Sequence, residues 1–213
     1  MKIGILGTGD VGKALGKGFL ALGHEVKMGG REASNEKAAA WVKESGERAS
    51  QGTFGDAAGF GEIIVLATLG VGTESAIKMA GAEKFSGKVV IDTTNPLDFS
   101  KGGPALAVGF SDSGGEQIQR LIPDAHVVKA FNTVGNALMF KPDLPGGPPD
   151  MFICGNSDDA KKRVGEICTD FGWGVVDLGG IEASRYLEPM CLAWVLYGIR
   201  SKNWGHAFKL LGK

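Results

Sequence analysis

The residues best placed to do chemistry come at the first turn of the chain. Gly7-Thr8-Gly9-Asp10-Val11-Gly12 spells G-x-G-x-x-G directly after the apolar run Ile3–Leu6 and at the start of a helical pattern, a context that gives the motif its weight. Gly7 permits a tight turn, Gly9 lets backbone approach a pyrophosphate, and Gly12 lets the helix pack on the strand. Backbone amides and the positive end of the helix then face the phosphates. The loop is expected to hold a dinucleotide. About 20 residues further on, where NAD-binding chains place an acid for the ribose 2′-OH, this strand ends Met28-Gly29-Gly30-Arg31, with no acid before Glu32. Gly30 is expected to leave space, Arg31 to offer a planar cation to a 2′-phosphate, and Lys37 to add to that field. The pattern points to NADP(H), with Glu32 as the residue that speaks against it.

Three more strand ends carry candidate site residues: Ala67-Thr68-Leu69-Gly70, Thr94-Asn95-Pro96 and Ala130-Phe131-Asn132-Thr133. Ligands of doubly wound sheets sit at the carboxyl ends of the strands. The first two are therefore expected to flank the second ribose and the nicotinamide, and the third to face the reacting ring. Leu69, Asn132 and Thr133 are the expected substrate contacts. Turn chemistry is the alternative reading of each. The stretch from Leu69 to Gly72 has no bulky polar group and is expected to frame an open pocket.

Acid–base machinery is sparse, and no catalytic residue or metal ligand is assigned. His24 falls in a helix-to-strand turn, His126 begins a strand and His206 lies in the tail, while Asp92 ends a strand with no partner visible in the sequence. No Ser-His-Asp order, HExxH or Walker lysine occurs. Cys154, Cys168 and Cys191 form no CxxC, and read as small apolar side chains in a reducing compartment.

The elements that must position these residues alternate strand and helix, which implies an α/β, Rossmann-type, doubly wound and mostly parallel sheet. Strands are expected at Ile3–Leu6, Glu25–Met28, near Arg48–Thr53, Glu62–Ala67, Lys88–Asp92 and Ala125–Ala130. Helices are expected at about Val11–Leu22, Glu36–Ser45, Thr73–Phe85 with Thr73 as N-cap, and Gly115–Leu121. Pro96–Asp112 reads as loop, and the proline-rich Pro142–Asp150 is irregular. Beyond it come a strand (Met151–Cys154), a helix (Asp158–Phe171), a strand (Gly174–Leu178) and a helical tail. The expected arrangement is one domain over residues 1–213: a dinucleotide-binding core to about 140, and an extension over about 150–213 packed on the same sheet.

Composition narrows the function classes. With 24 acidic and 23 basic residues, a net charge of −1 and 43% hydrophobic residues, nothing calls for nucleic acid or an anionic membrane as partner. The longest apolar run, Cys191–Tyr197, is far short of the ~20 residues of a membrane helix. The amino terminus enters a strand at once, so no leader peptide is expected. A cytoplasmic protein is expected.

Over essentially its full length the chain resembles the coenzyme F420-dependent NADP oxidoreductases and the related cytosolic oxidoreductase domain of six-transmembrane metalloreductases. The resemblance is carried by Ile5–Gly12 with Leu22-Gly-His-Glu-Val26, by Gly30-Arg31, by Val127-Val-Lys-Ala-Phe-Asn-Thr133, by Ile153–Asp158 with Ala160–Val164, and by Ser184-Arg-Tyr-Leu187. It implies NADPH held at Thr8 and Arg31, nicotinamide near Ala67, Asn95 and Asn132, hydride passed to a flavin-like ring, and a homodimer. Phe131-Asn132-Thr133 looks more like the metalloreductase branch, since the deazaflavin reductases tend to carry His at the place of Asn132. Leu69–Gly72 also lacks their Pro-aromatic pair.

The expected function is therefore an NADPH-dependent oxidoreductase passing hydride to a flavin or deazaflavin. The alternatives are a non-catalytic NADPH-binding redox sensor and a reductase of small carbonyls or imines. The latter generally adds a sizeable helical domain, whereas only a short tail follows Gly180. A homodimer is also expected from the tail itself, where Tyr186-Leu187, Cys191-Leu192, Trp194-Val195 and Tyr197–Ile199 are apolar almost all round a helix.

Overall fold

A computed structural model describes residues 1–100 and 102–212. Ten strands and seven helices follow in the order β1 (Lys2–Leu6), α1 (Asp10–Ala21), β2 (Glu25–Gly30), α2 (Glu36–Ser45), β3 (Ala49–Thr53), α3 (Phe54–Phe60), β4 (Ile63–Leu66), α4 (Gly70–Ala80), β5 (Val89–Asp92), β6 (Leu97–Asp98), β7 (Ala105–Leu106), α5 (Gly114–Leu121), β8 (His126–Lys129), β9 (Asp150–Gly155), α6 (Asp158–Asp170), β10 (Gly174–Asp177) and α7 (Ser184–Ser201). Eight strands form one sheet in the order β10-β9-β8-β5-β4-β1-β2-β3. From β3 to β8 every pairing is parallel, and β9 runs antiparallel to β8. The parallel part has the strand order of a dinucleotide-binding sheet, whose ligand crevice opens where the order reverses, beyond β1 and β4.

The period-2 alternation of the buried strands divides the core into two layers. Ile3, Ile5 and Val65 face Leu15 and Phe19 of α1, Trp41 of α2 and Val164 of α6. Leu6, Ile64 and Leu66 face Ala57 of α3, Ile77 of α4 and Ile118 of α5. A wholly buried aliphatic or aromatic side chain contributes roughly 1.5–3 kcal/mol, so a slip of one residue in β1 or β4 would forfeit several such terms at once.

Several expectations need correction. The heptapeptide FGDAAGF forms α3, which the sequence reading missed. Thr53 and Asp56 close it with a capping box, Asp56 N bonding Thr53 Oγ1 and Thr53 N bonding Asp56 Oδ2. Thr73 is not an N-cap: α4 starts at Gly70, and the buried Thr73 hydroxyl donates to Leu69 O at 3.2 Å. That helix also stops at Ala80, because Gly81 at φ 90° turns the chain into a separate 3-10 turn over Ala82–Phe85. Within the expected loop 96–112, β6 and β7 pair as a short antiparallel hairpin. The carboxyl-terminal segment runs back along the fold, with Asp150 N bonded to Phe208 O and Trp194 Nε1 to His206 O.

Candidate active site

At the end of β1 the glycine loop divides into packing positions and one open position. Gly7 has φ 135°, and a Cβ there would lie 2.2 Å from Ala67 O, so the turn is pressed against the end of β4. A Cβ on Gly12 would meet Gly7 O at 2.5 Å. Gly9 differs: it is exposed, caps α1 without any side-chain hydrogen bond, and a Cβ added to it would meet nothing within 4 Å. The backbone thus offers open space in front of the first-turn amides of a twelve-residue helix, the geometry that takes a phosphate. Thr8 and Val11 are half-buried beside it, while Asp10 is exposed, where only its backbone amide suits an anion.

Leu6 of β1 is paired with Gly29 of β2, which places the end of β2 next to this turn. Arg31, the first residue past β2, is exposed and makes no hydrogen bond or ion pair among the described residues. Lys37 is exposed in the first turn of α2. Gly30 does not leave the space expected of it. It is buried, 3.2 Å separate its Cβ position from Asn35 Cβ, and its smallness serves the turn in which Asn35 caps α2.

The other strand ends converge farther along the same edge. Ala67 and Pro96 are buried, and Thr68 Oγ1 lies 2.8 Å from Thr73 Oγ1. Leu69 is 82% exposed. Gly70 lets the first turn of α4 rest on the β5 end, since a Cβ would lie 2.1 Å from Asn95 O. Asn95 and Asn132 clasp each other: Asn95 Nδ2 donates to Asn132 O at 2.9 Å, and Asn132 Nδ2 donates to Asn95 Oδ1 and to Leu187 O, both at 3.0 Å. This leaves Asn132 Oδ1 buried with no hydrogen-bond partner. Such an orphan costs roughly 1–3 kcal/mol, and it is an acceptor waiting for an N–H. Ala130 and Thr133 are buried on either side, and Thr133 makes no hydrogen bond among the described residues. Phe131 between them is held at φ 58° with its amide on Met151 Sδ, a left-handed conformation that a bulky side chain adopts only when its surroundings impose it.

Beneath the asparagine pair lies a cluster that the sequence reading did not find. Asp92, whose partner was not visible in the sequence, has one in the fold: Lys129 Nζ is 2.6 Å from Asp92 Oδ2 and 3.1 Å from Glu188 Oε1, with all three side chains at most 1% exposed. The same ammonium donates to Thr94 O at 2.8 Å. Burial alone would lower the Lys129 pKa, but the two carboxylates outweigh it and the net shift is upward. Glu188 also accepts from Gly114 N and Gly115 N at the start of α5. The signal for this cluster was available in a lysine that follows Val127-Val128 and precedes Ala130-Phe131, which must meet a carboxylate when buried.

One well-formed cavity lies away from the glycine loop. It is a cleft of about 600 Å³ between α4 and α5, and Gly70, Val71, Thr94 and Pro96 are among its walls. It therefore adjoins the asparagine pair without including Leu69, Asn132 or Thr133. Among the described residues no cluster could hold a metal ion, and no helix is long and apolar enough to cross a membrane.

With this geometry in place, comparison with known proteins identifies relatives. Residues 2–96 match the family model described as NADP oxidoreductase, coenzyme F420-dependent. The F420-dependent NADP reductase of Methanothermobacter marburgensis is 30% identical over 95% of this chain and 94% of its own length. The metalloreductase STEAP3 of Rattus norvegicus is 29% identical over 90% of this chain, which spans about a third (36%) of that protein. A crystal structure of a candidate F420-dependent NADP reductase from Arthrobacter sp. FB24 superposes with a TM-score of 0.94 at 36% identity, covering both chains fully. An imine reductase from Streptomyces aurantiacus, 16% identical with a TM-score of 0.67 over 94% of this chain and 64% of its own, shares the fold alone. A near full-length likeness to the Methanothermobacter reductase, joined to the family match across the glycine loop and the Asn95 strand end, places this chain in the family of coenzyme F420-dependent NADP oxidoreductases.

Proposed function

We propose that this NADP-dependent oxidoreductase passes hydride between NADP(H) and a flavin or deazaflavin ring. The observation that carries the reading is the buried, unpartnered Asn132 Oδ1. Asn132 Nδ2 already has two acceptors, which leaves the oxygen free to accept, and the carboxamide of a nicotinamide ring has N–H donors to give. When bound, the cofactor supplies the hydride. The chain's own residues supply position: Gly9 and the first-turn amides of α1 take the pyrophosphate, Arg31 with Lys37 takes the 2′-phosphate, and Asn132 sets the ring's rotation. Reduction of a carbonyl would also need a proton donor for the developing alkoxide. The titratable groups of the cluster beside this site, Asp92, Lys129 and Glu188, are committed to one another, and burial pushes the Cys154 thiol up to about 11. A flavin-type ring spreads the incoming charge and takes its proton from water, so that holding two flat rings in contact is sufficient.

Stopped-flow mixing of NADPH-loaded protein with deazaflavin, FMN, FAD and ferric chelates tests the reading. Oxidation by the deazaflavin or a free flavin is expected, and none by simple aldehydes, ketones or imines. Robust turnover of a small imine or carbonyl would replace this reading with the reductase alternative. Silence towards every acceptor would replace it with a redox sensor.

The same reading includes a homodimer and a cytoplasmic setting. The inner face of α7 is buried through Leu187, Cys191, Trp194 and Val195, whereas Tyr186, Leu196, Tyr197 and Ile199 are exposed on its outer side. An apolar stripe of this kind needs a cover, and a second copy of the helix supplies one by two-fold pairing. Light scattering at micromolar concentration is expected to give about twice 22.2 kDa, and a mass of one chain would refute the dimer. Three free cysteines, all buried, suit a reducing compartment.

A further inference from the structure

We propose that Lys129 is a positioning residue for hydride transfer: the buried Asp92–Lys129–Glu188 triad clamps the nicotinamide seat by holding the Thr94–Asn95 turn and α7 in a fixed relation to Asn132. The inference rests on the seating of the nicotinamide at Asn132 proposed above.

Asp92 and Lys129 are register partners on neighbouring strands, and the chain that leaves each of them reaches an asparagine three residues later. The molecule therefore has two tiers at this edge, an ion contact between the last residues of β5 and β8 and, above it, the reciprocal Asn95–Asn132 clasp. Thr94 couples the tiers. Its amide and hydroxyl both donate to Asp92 Oδ1, at 2.9 and 2.7 Å, and its carbonyl accepts from Lys129 Nζ at 2.8 Å. Thr94 is thus held from both ends of its peptide unit, and Asn95 follows immediately. On the other side Glu188 joins Lys129 to α7 and to the amides of α5, and its neighbour Leu187 presents the carbonyl that takes the second hydrogen of Asn132 Nδ2. Gly115 allows the approach, since a Cβ there would lie 2.3 Å from Ser184 Oγ and 3.0 Å from Lys129 Cε.

This wiring leaves one atom uncommitted. The Asn132 carbonyl can only accept, so it orients Asn95 Nδ2. Asn95 Oδ1 must then point at Asn132 Nδ2, and Asn132 Oδ1 is left as the one side-chain polar atom of the pair with no hydrogen bond among the described residues. Buried ion groups of this type are seldom a net source of stability, because apolar residues of the same volume do as well. Geometry is what the triad supplies. The ammonium, surrounded by two carboxylates and a carbonyl, is spent on the protein's own groups and acts as a clamp rather than as an acid.

The test needs no electron acceptor. NADPH and 2′-phospho-ADP-ribose share everything except the nicotinamide, so the ratio of their dissociation constants isolates the seat. Lys129→Met is expected to cut the preference for NADPH by about tenfold, the scale of one well-made hydrogen bond, with 2′-phospho-ADP-ribose binding unchanged. Thr94→Val, which removes one rung and leaves every charge in place, is expected to act in the same direction by about threefold, and it decides the matter if Lys129→Met does not fold. Equal weakening of both ligands would show a merely structural role and overturn the proposal. Asn132→Ala separates the two readings. If it abolishes the preference while Lys129→Met and Thr94→Val keep it, the clamp fails alone; if Asn132→Ala itself keeps the preference, the seat is misplaced and both readings fall.

Discussion

The two ends of the proposed cofactor groove are built by different means. At the phosphate end the working parts are backbone amides at an uncapped helix start, an open glycine and an exposed, unpartnered arginine. At the nicotinamide end they are side chains from β5, β8 and α7 locked into one another by ion contacts and reciprocal amide bonds. The first end meets charge, for which a preset dipole and a mobile cation suffice. The second must set the rotation of a ring within a fraction of an ångström, which requires groups that cannot move. If the proposed seating holds, affinity is concentrated in one end and geometry in the other, and substitutions at the two ends should fail in different ways.

The largest effect is expected at Gly9. In Gly9→Val the added Cβ has no protein atom within 4 Å, so the free chain should melt as before while the phosphate loses its approach path. Losing two charge-assisted hydrogen bonds of ~1.5–3 kcal/mol each weakens NADPH by at least about 100-fold. Gly12→Val makes the contrasting case, since its side chain would run into Gly7 O and the fold itself should lose stability. Titration and thermal melting of the pair would break the comparison if Gly9→Val bound NADPH normally.

Arg31→Ala comes next. With no protein partner to leave behind, its loss should weaken NADPH by roughly 10–100-fold, the scale of one or two charge-assisted bonds, and leave NADH nearly unchanged. Equal losses for both cofactors would detach Arg31 from the 2′-phosphate and make Glu32 the residue to examine.

The same contrast explains what could be read from the sequence. The phosphate end is local: six consecutive residues state the turn, and Arg31 sits at a fixed distance along one βαβ unit, so the strand–helix alternation, the glycine loop and the cation beyond β2 could be read together. The nicotinamide end is not local. Thr94 and Lys129 stand 35 positions apart, and Asn132 and Leu187 stand 55 apart. Asn95 and Asn132 could be named as candidates from their strand ends, but their clasp and the ion cluster beneath it depend on which strands become neighbours. α3 escaped because FGDAAGF is short and contains two glycines, so its propensity is weak and its cap is the stronger signal. Thr73 misled because a threonine before an apolar run looks like an N-cap, whereas the close packing of Gly70 on Asn95 O starts the helix a turn earlier.

The smallest effect is expected in acid, and it separates the ends without any mutation. The Arg120 guanidinium bonds Asp112 and lowers its pKa to about 2, and the Arg185 guanidinium likewise lowers Glu116. Both pairs fasten α5, which carries Gly114 and Gly115 against Glu188. Each carboxylate has a folded pKa below its unfolded value of about 4, so its contribution is fully present above pH ~4 and is lost as the pH falls through the folded value, near 2 for Asp112. The Asp112–Arg120 pair is largely solvated, so its share of the stability is small. At the other end α2 is capped by Asn35, whose amide does not titrate, and Arg31 has no carboxylate to lose. Hydrogen exchange of the α5 amides should therefore quicken relative to those of α2 as the pH is taken from 5 to 2, after correction for the intrinsic rate. A parallel response of the two helices would mean that the ion pairs around α5 carry no measurable part of the nicotinamide end.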